Sequence, residues 1–301
     1  MSVEYQHQVA YVDTGDSCHL RCTTCVRGLR VMPNTSAHMP LDQFRRIVDK
    51  LKDEGYPAVG LFNWTEPFLN KRLQDYIAAV KARDLTCWLS STLSLPKIKN
   101  LESALLAGID NFLISISGMD QQTHEINHVN GRLEWTLRHA RSVGELIRKH
   151  NLPTVAALRF LKFGYNQHQV QAARDFAEDA GLHIDIAEAF GDPLSPTPVV
   201  KTTNQRILAR IKAVRPQDSD VEKACPLLFD QIAIDSKGDA YLCCAVPYVD
   251  AVRIGAYLDL DANEILRRRF KHAYCPACLV PRRTATERDK ERMREAGIAA
   301  A

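Results

Sequence analysis

Eight of the nine cysteines fall in two groups, Cys18, Cys22 and Cys25 near the N-terminus and Cys225, Cys243, Cys244, Cys275 and Cys278 in the last third. The first three stand in "GDSCHLRCTTCVRGLR" at the spacing C-x3-C-x2-C. Thiolates are the usual ligands of iron–sulfur clusters and of structural zinc. Zinc in a structural site takes four ligands, and no fourth cysteine or well-placed histidine lies nearby, His19 being awkwardly set between two of the thiols. A four-iron cluster held by three thiolates leaves one iron open to an outside ligand. Arg21, Arg27 and Arg30 would offset the negative charge of such a site.

In the second group Cys225, Gly238 and Cys243 follow C-x12-G-x4-C, and Cys275-x2-Cys278 closes the set. Glycine in the turn of a hairpin would return Cys243 towards Cys225. Four thiolates so spaced suit zinc or a four-iron cluster equally. Cys244 is left over, as a packed neighbour of Cys243, an alternative ligand, or a thiol that gives up a hydrogen atom in a substrate pocket. Cys87 in "LTCWLSS" reads as a small buried hydrophobe.

These residues need elements to position them. Strand signals at "HQVAYVDT", "PAVGLFNW", "LTCWLSS", "NFLISIS", "TVAALRFLKF" and "HIDIAEAF" alternate with helical ones over the first two thirds. Near-continuous apolar strands with helices between them predict a parallel sheet covered by helices. Six units predict an α/β fold, a partial (β/α)6 TIM barrel over residues 1–195. "GDPLSPTPVV" reads as a linker, and residues 196–301 as a small α+β domain. In it "DQIAIDSKGDAYLCCAV" is a hairpin turning at Ser236–Asp239, "DANEILRRRFKHAY" is a helix, and "TATERDKERMREAG" is a charged, solvated helix with no obvious task. The first cysteine loop then leaves the C-terminal end of the first strand, where sites in parallel α/β folds lie.

Composition narrows the class. With 25% charged and 46% hydrophobic residues the chain reads as an ordinary globular protein. No apolar N-terminal segment or membrane-length run is present in the sequence, so a cytoplasmic protein with no membrane partner is expected. A net charge of +3 argues for no nucleic-acid partner.

The cysteine loop opening a six-unit α/β domain resembles the radical S-adenosylmethionine (SAM) superfamily. That resemblance implies that Cys18, Cys22 and Cys25 hold a [4Fe-4S] cluster whose open iron binds SAM, which is cleaved by one electron to a 5′-deoxyadenosyl radical that abstracts hydrogen. Thr24 stands where the family often has an aromatic residue. "FNWTEPFLN" resembles the family's Gly-Gly-Glu-Pro-like segment, with Glu66 in the place of the residue that receives the cofactor's ammonium and Trp64-Thr65 in place of the glycines. The plainer reading of Glu66 is a charge at a helix N-terminus. "ISISG" resembles the family's fourth-strand segment, which implies that Ser115 contacts the cofactor. The assisting arginine's place falls near His128, which could instead be a surface turn residue before Asn130-Gly131; Arg132 lies slightly too far along. Arg159, a charge inside an apolar strand, is expected to face the barrel mouth and meet a carboxylate.

The second cysteine set resembles the SPASM domain in its shortened twitch form, which implies one auxiliary [4Fe-4S] cluster on Cys225, Cys243, Cys275 and Cys278. The cysteine loop begins too early for the N-terminal peptide-binding domain of many relatives. The compact form is similar to family members that act on carbohydrate-like antibiotic intermediates. The resemblance therefore implies an oxidoreductase or epimerase acting on a small sugar- or aminocyclitol-like molecule, with a reductant such as flavodoxin or ferredoxin. Peptide maturation is the alternative within the family, and a non-catalytic zinc-binding scaffold the alternative outside it.

Overall fold

The computed structural model describes residues 8–28, 32, 34–189, 223–270, 272–275 and 282–298. The first two thirds run β1 (Val9–Val12), α1 (Leu41–Asp53), β2 (Ala58–Gly60), α2 (Leu73–Lys81), β3 (Thr86–Ser91), α3 (Leu101–Leu106), β4 (Asn111–Ile116), α4 (Gln121–Asn127), α5 (Leu133–His150), β5 (Val155–Lys162), α6 (Val170–Asp179) and β6 (His183–Glu188). The last third runs β7 (Lys223–Ala224), α7 (Pro226–Phe229), β8 (Gln231–Ile234), β9 (Asp239–Tyr241), β10 (Arg253–Ala256), α8 (Ala262–Phe270), β11 (Arg283–Thr284) and α9 (Glu287–Glu295).

β1 to β6 pair in sequence order, all parallel, as the continuous apolar strands predict. Residues of one parity in each strand turn to the helices. Phe112, Ile114 and Ile116 of β4 do so, as do Phe44, Ile47, Val48 and Leu51 of α1 at helical spacing from the other side, all buried in one core. The opposite parity lines the concave face, where Val9, Ala58 and Trp88 pack with Tyr11 and Phe62.

The sheet does not stop at β1. Among the described residues nine strands form one sheet in the order β10-β9-β8-β1-β2-β3-β4-β5-β6. β8 lies parallel to β1, with Val9 opposite Gln231 and Val12 opposite Ile234. The β8–β9 hairpin turns at Gly238, which has φ +89° and whose missing Cβ would meet the Gln43 amide at 2.4 Å. Gln43 donates from Nε2 to the Lys237 carbonyl at 2.8 Å, docking the hairpin on α1.

Three local expectations need correction. The second strand closes at Gly60, and "LFNW" becomes a loop held by polar contacts to other elements. α4 was not expected, since "QQTHEIN" shows no apolar period; Asp120 caps it by accepting from the Thr123 amide at 2.8 Å. Finally, α9 is no merely solvated helix. Its Met293, with Ala296 just beyond, is buried against Ala224, Leu228, Phe229, Leu266 and Phe270, and a Thr286–Asp289 capping box opens it.

Candidate functional site

The cysteine loop leaves β1 and is pinned along the segment that follows α4. Arg21 and Thr23 donate their amides to the carbonyls of Val129 and Asn127 at 3.0 and 2.8 Å. Thr24 donates from its hydroxyl to Asn127 Oδ1 at 2.9 Å, so the residue in the aromatic position is engaged in holding the loop. Gly28 completes the turn, and a Cβ there would lie 2.1 Å from the Cys22 carbonyl oxygen. Cys18, Cys22 and Cys25 are free, half-buried thiols.

Burial pushes the Cys18 thiol up to about 12, with the Glu66 charge adding to it. Burial also raises Cys22 well above its ordinary value, Cys25 and Cys18 contributing, and raises Cys25 against the opposing amides of Arg27 and Gly28. Thiols that resist ionising together are a donor set that a cationic metal centre would deprotonate on binding. Arg27 is buried beside them, Arg21 is exposed, and Arg30 lies outside the described residues. A recess of about 190 Å³ beside Cys18, lined by Arg21, Arg27, Met32 and Asn34, leaves room in front of the loop. Among the described residues no three His, Cys, Asp or Glu side chains are grouped as they would be round a single ion.

Glu66 lies next to this loop, its amide donating to the Ser17 carbonyl at 3.0 Å. It is 4% exposed, and among the described residues no cationic side chain pairs with it. Oε1 accepts from Ser91 Oγ at 2.6 Å and the Phe68 amide at 3.2 Å; Oε2 accepts from the Thr92 hydroxyl and amide at 3.1 and 3.2 Å. The helix-terminus role is thus real, since the Phe68 amide belongs to the short turn Pro67–Leu69. It does not account for a buried carboxylate without a counter-charge, which suits a cationic ligand. Such a ligand would displace the longer Thr92 contacts first, the carboxylate's four acceptor sites being filled.

Two further residues hold the Glu66 loop: Asp13, not singled out in the sequence, and Arg27, expected there only as a charge beside the cysteines. Asp13, fully buried at the end of β1, accepts from the amides of Asn63 and Trp64 at 2.9 and 3.0 Å and from the Thr65 hydroxyl. Burial raises its carboxyl above the ordinary range, against those hydrogen bonds. Arg27 donates from Nε to the Trp64 carbonyl at 3.0 Å and from Nη1 to the Asp16 carbonyl at 2.6 Å, tying the cysteine loop to the Glu66 loop.

The remaining candidates divide into two places. Ser115 of β4 is half-buried and lies in register with Arg159 of β5, which in turn faces Asp185 of β6. Arg159 Nε donates to Asp185 Oδ2 at 2.6 Å, the carboxylate partner expected of it, on the concave side of the sheet. His128 is 2% exposed and so is no surface turn residue. Its Nδ1 lies 2.6 Å from Ser117 Oγ, and its ring stacks on His124 at 4.6 Å. Burial lowers both histidines, His124 to about 4 and His128 well below its ordinary value. The structure thus joins Ser115 to Arg159, and His128 to Ser117.

The second cysteine group gathers at the far end of β8. Cys225, Cys243 and Cys275 line one recess with Leu228, Phe229 and Phe270; Cys278 lies outside the described residues. Arg269, 2% exposed, runs behind them, donating to the carbonyls of Leu242, Leu227 and Gln231 at 2.7, 2.9 and 2.7 Å. Among the described residues no carboxylate neutralises it, so its charge is available to a thiolate centre in that recess. Cys244 departs from the other three. It donates to Gln231 Oε1 at 2.8 Å, and Gln231 is the β8 residue opposite Val9 on the concave face. Burial pushes its thiol up to about 12, and the Cys244 charge contributes to raising Tyr11, so the two groups are neighbours.

Comparison with known proteins adds the family. No curated protein matches the sequence. Solved structures with a similar fold include Streptococcus suis SuiB bound to S-adenosylmethionine, with 15% identity, TM-score 0.62, and 89% of this chain covering 67% of that one. anSMEcpe with bound AdoMet follows at 13% identity and TM-score 0.58, covering 89% and 82%. BtrN in complex with AdoMet and 2-DOIA has 10% identity and TM-score 0.53, covering 93% and 92%. Residues 12–177, more than half of the chain and the stretch from the end of β1 through most of α6, match the Radical SAM superfamily, and the chain therefore belongs to that superfamily of enzymes, whose members use a [4Fe-4S] cluster and SAM.

Proposed function

We propose that this enzyme removes a hydrogen atom from a carbon of a small carbohydrate- or aminocyclitol-like substrate on the concave face of the barrel and that Cys244 returns one, giving epimerisation. When bound, the cluster and SAM supply a 5′-deoxyadenosyl radical at the open end of the Cys18–Cys25 loop. Cys18, Cys22 and Cys25 would hold that cluster, Glu66 the cofactor's ammonium, and Ser115 and Arg159 the concave wall near cofactor and substrate. Cys225, Cys243, Cys275 and Cys278 would hold an auxiliary [4Fe-4S] cluster beneath Arg269. The observation that carries the reading is the position of Cys244. It is next to Cys225 and Cys243 but does not line their recess, and its thiol is on Gln231 at the inner wall. A substrate radical that takes the S–H hydrogen leaves a thiyl, which is restored by one electron from a flavodoxin- or ferredoxin-type reductant and one proton from solvent.

Incubation with candidate sugars and aminocyclitols in D2O is the test. Deuterium is expected at one inverted carbon, and Cys244→Ala should stop inversion while 5′-deoxyadenosine still forms. A product two hydrogens lighter, with no deuterium and no effect of Cys244→Ala, would indicate dehydrogenation instead, with the auxiliary cluster taking the second electron. Maturation of a peptide is the second reading. It draws on the fold shared with SuiB, whose structure with the precursor peptide SuiA aligns at TM-score 0.61 and 15% identity. BtrN, solved with 2-DOIA and covered over 92% of its length, supports the small-molecule reading.

A further inference from the structure

Trp64 occupies the place where the related segment carries glycine, and its large side chain does more than fill space. Its indole Nε1 donates to the Val246 carbonyl at 2.9 Å, three residues beyond Cys243. Beside it, Asn63 Nδ2 donates to Tyr248 Oη at 3.1 Å, and Tyr248 stacks on Tyr241 of β9 at 4.4 Å. The main chain of the same two residues is gripped from the barrel side, by Asp13 at both amides and by Arg27 at the Trp64 carbonyl. Residues 63–66 are therefore a bridge, with one side on β1 and the cysteine loop and the other on the segment that carries Cys243 and Cys244.

We infer that Trp64 is a positioning residue that couples SAM binding at Glu66 to the ordering of residues 242–249. A ligand that fixes the Glu66 loop also fixes the donors that Trp64 and Asn63 extend to Val246 and Tyr248. Whatever steadies that segment presents the loop ready-made, and linkage makes the two effects equal. A glycine in this place would have no side chain to extend across the gap. The device would place Cys244 at the inner wall when the cofactor is seated. It rests on the reading of Glu66 as a cofactor contact.

The test combines SAM affinity with amide hydrogen exchange, on anaerobically purified full-length protein. Within the segment the Leu242 amide is bonded to Val252 and the Val246 amide to Cys243, giving it slow exchange to report. In the wild type SAM is expected to slow exchange across 242–249. Trp64→Phe keeps an aromatic ring but removes the N–H; it should weaken SAM about fivefold, the loss of one neutral hydrogen bond, and abolish the slowing while iron content stays unchanged. Tyr248→Phe, which deletes the other contact, should act in the same direction should Trp64→Phe lose iron. Exchange at 242–249 that ignores SAM in the wild type, or that slows equally in both variants, overturns the coupling. Glu66→Gln separates the two ideas. Undiminished SAM affinity in that variant would remove the cofactor reading of Glu66 and the coupling with it, whereas weakened affinity alongside unresponsive exchange removes the coupling alone.

Discussion

Among the described residues two buried charges, Glu66 near the first cysteine group and Arg269 near the second, have no opposite charge beside them. Glu66 is surrounded by hydroxyl and amide donors, and Arg269 by carbonyls. Neutral dipoles stabilise an ion, but a buried charge is stabilised further by a counter-charge. On the proposed reading SAM would bring a cation to the first, and cluster-bound thiolates would bring anions to the second. Glu66→Gln keeps the shape and three of the four hydrogen-bonding contacts at most, and removes the charge. It should raise the dissociation constant for SAM about 10- to 100-fold, the range of one hydrogen bond to a charged group, measured by equilibrium dialysis with iron content unchanged. That the cysteine loop and Glu66 would lie together was legible in the sequence, from the C-x3-C-x2-C spacing and the Glu66-Pro67 pair after the second strand. Asp13, Ser91, Thr92 and the bracing contacts of Arg27 were not. They act on main-chain groups or on a carboxylate from another strand, and such partners have no sequence spacing; the only trace is polar residues at the ends of β1 and β3.

At the level of elements, strands were legible from continuous apolar runs, and α1, α2, α5 and α6 from their apolar period. α4 was hidden because its buried residues are His124 and Asn127, polar types that no hydrophobic pattern marks. Those residues form the bed of the cysteine loop through Asn127, and their burial has a pH consequence. Both histidines have folded-state values lowered by burial, so the native state favours the neutral ring while the unfolded chain takes up a proton near pH 6.5. The stabilisation is complete above that pH and is lost as pH falls from about 6.5 towards 4, at up to about 1.4 kcal/mol per pH unit for each ring. Urea unfolding of the protein at pH 7, 6 and 5 should therefore show falling stability. His124→Gln with His128→Asn should flatten that slope, since neither replacement titrates in the range; an unchanged slope would place the acid sensitivity elsewhere.

Over the whole molecule the six-unit barrel was legible, and its continuation was not. The hairpin of β8 and β9 was expected within the small C-terminal domain; that β8 lies parallel against β1 was not, because its contacts are non-local pairings across more than two hundred residues that local patterns do not reveal. The Val9 amide donates to the Asp230 carbonyl and the Asp13 amide to the Ile234 carbonyl, both at 3.0 Å, so the strand that launches the cysteine loop is a central strand only because the last third of the chain covers it. A fragment ending at residue 195 would turn β1 into an unprotected edge, leave the outer face of α1 without the hairpin at Gln43, and free Trp64 and Asn63 of their partners. It should therefore behave as an unstable, self-associating species, with dye-binding apolar surface and no cooperative melt. The full chain should melt in one cooperative transition of its barrel and hairpin together. Size-exclusion chromatography and calorimetry distinguish the outcomes, and a monomeric fragment with its own sharp transition would show that residues 1–195 fold alone and that β8 merely docks on a finished barrel.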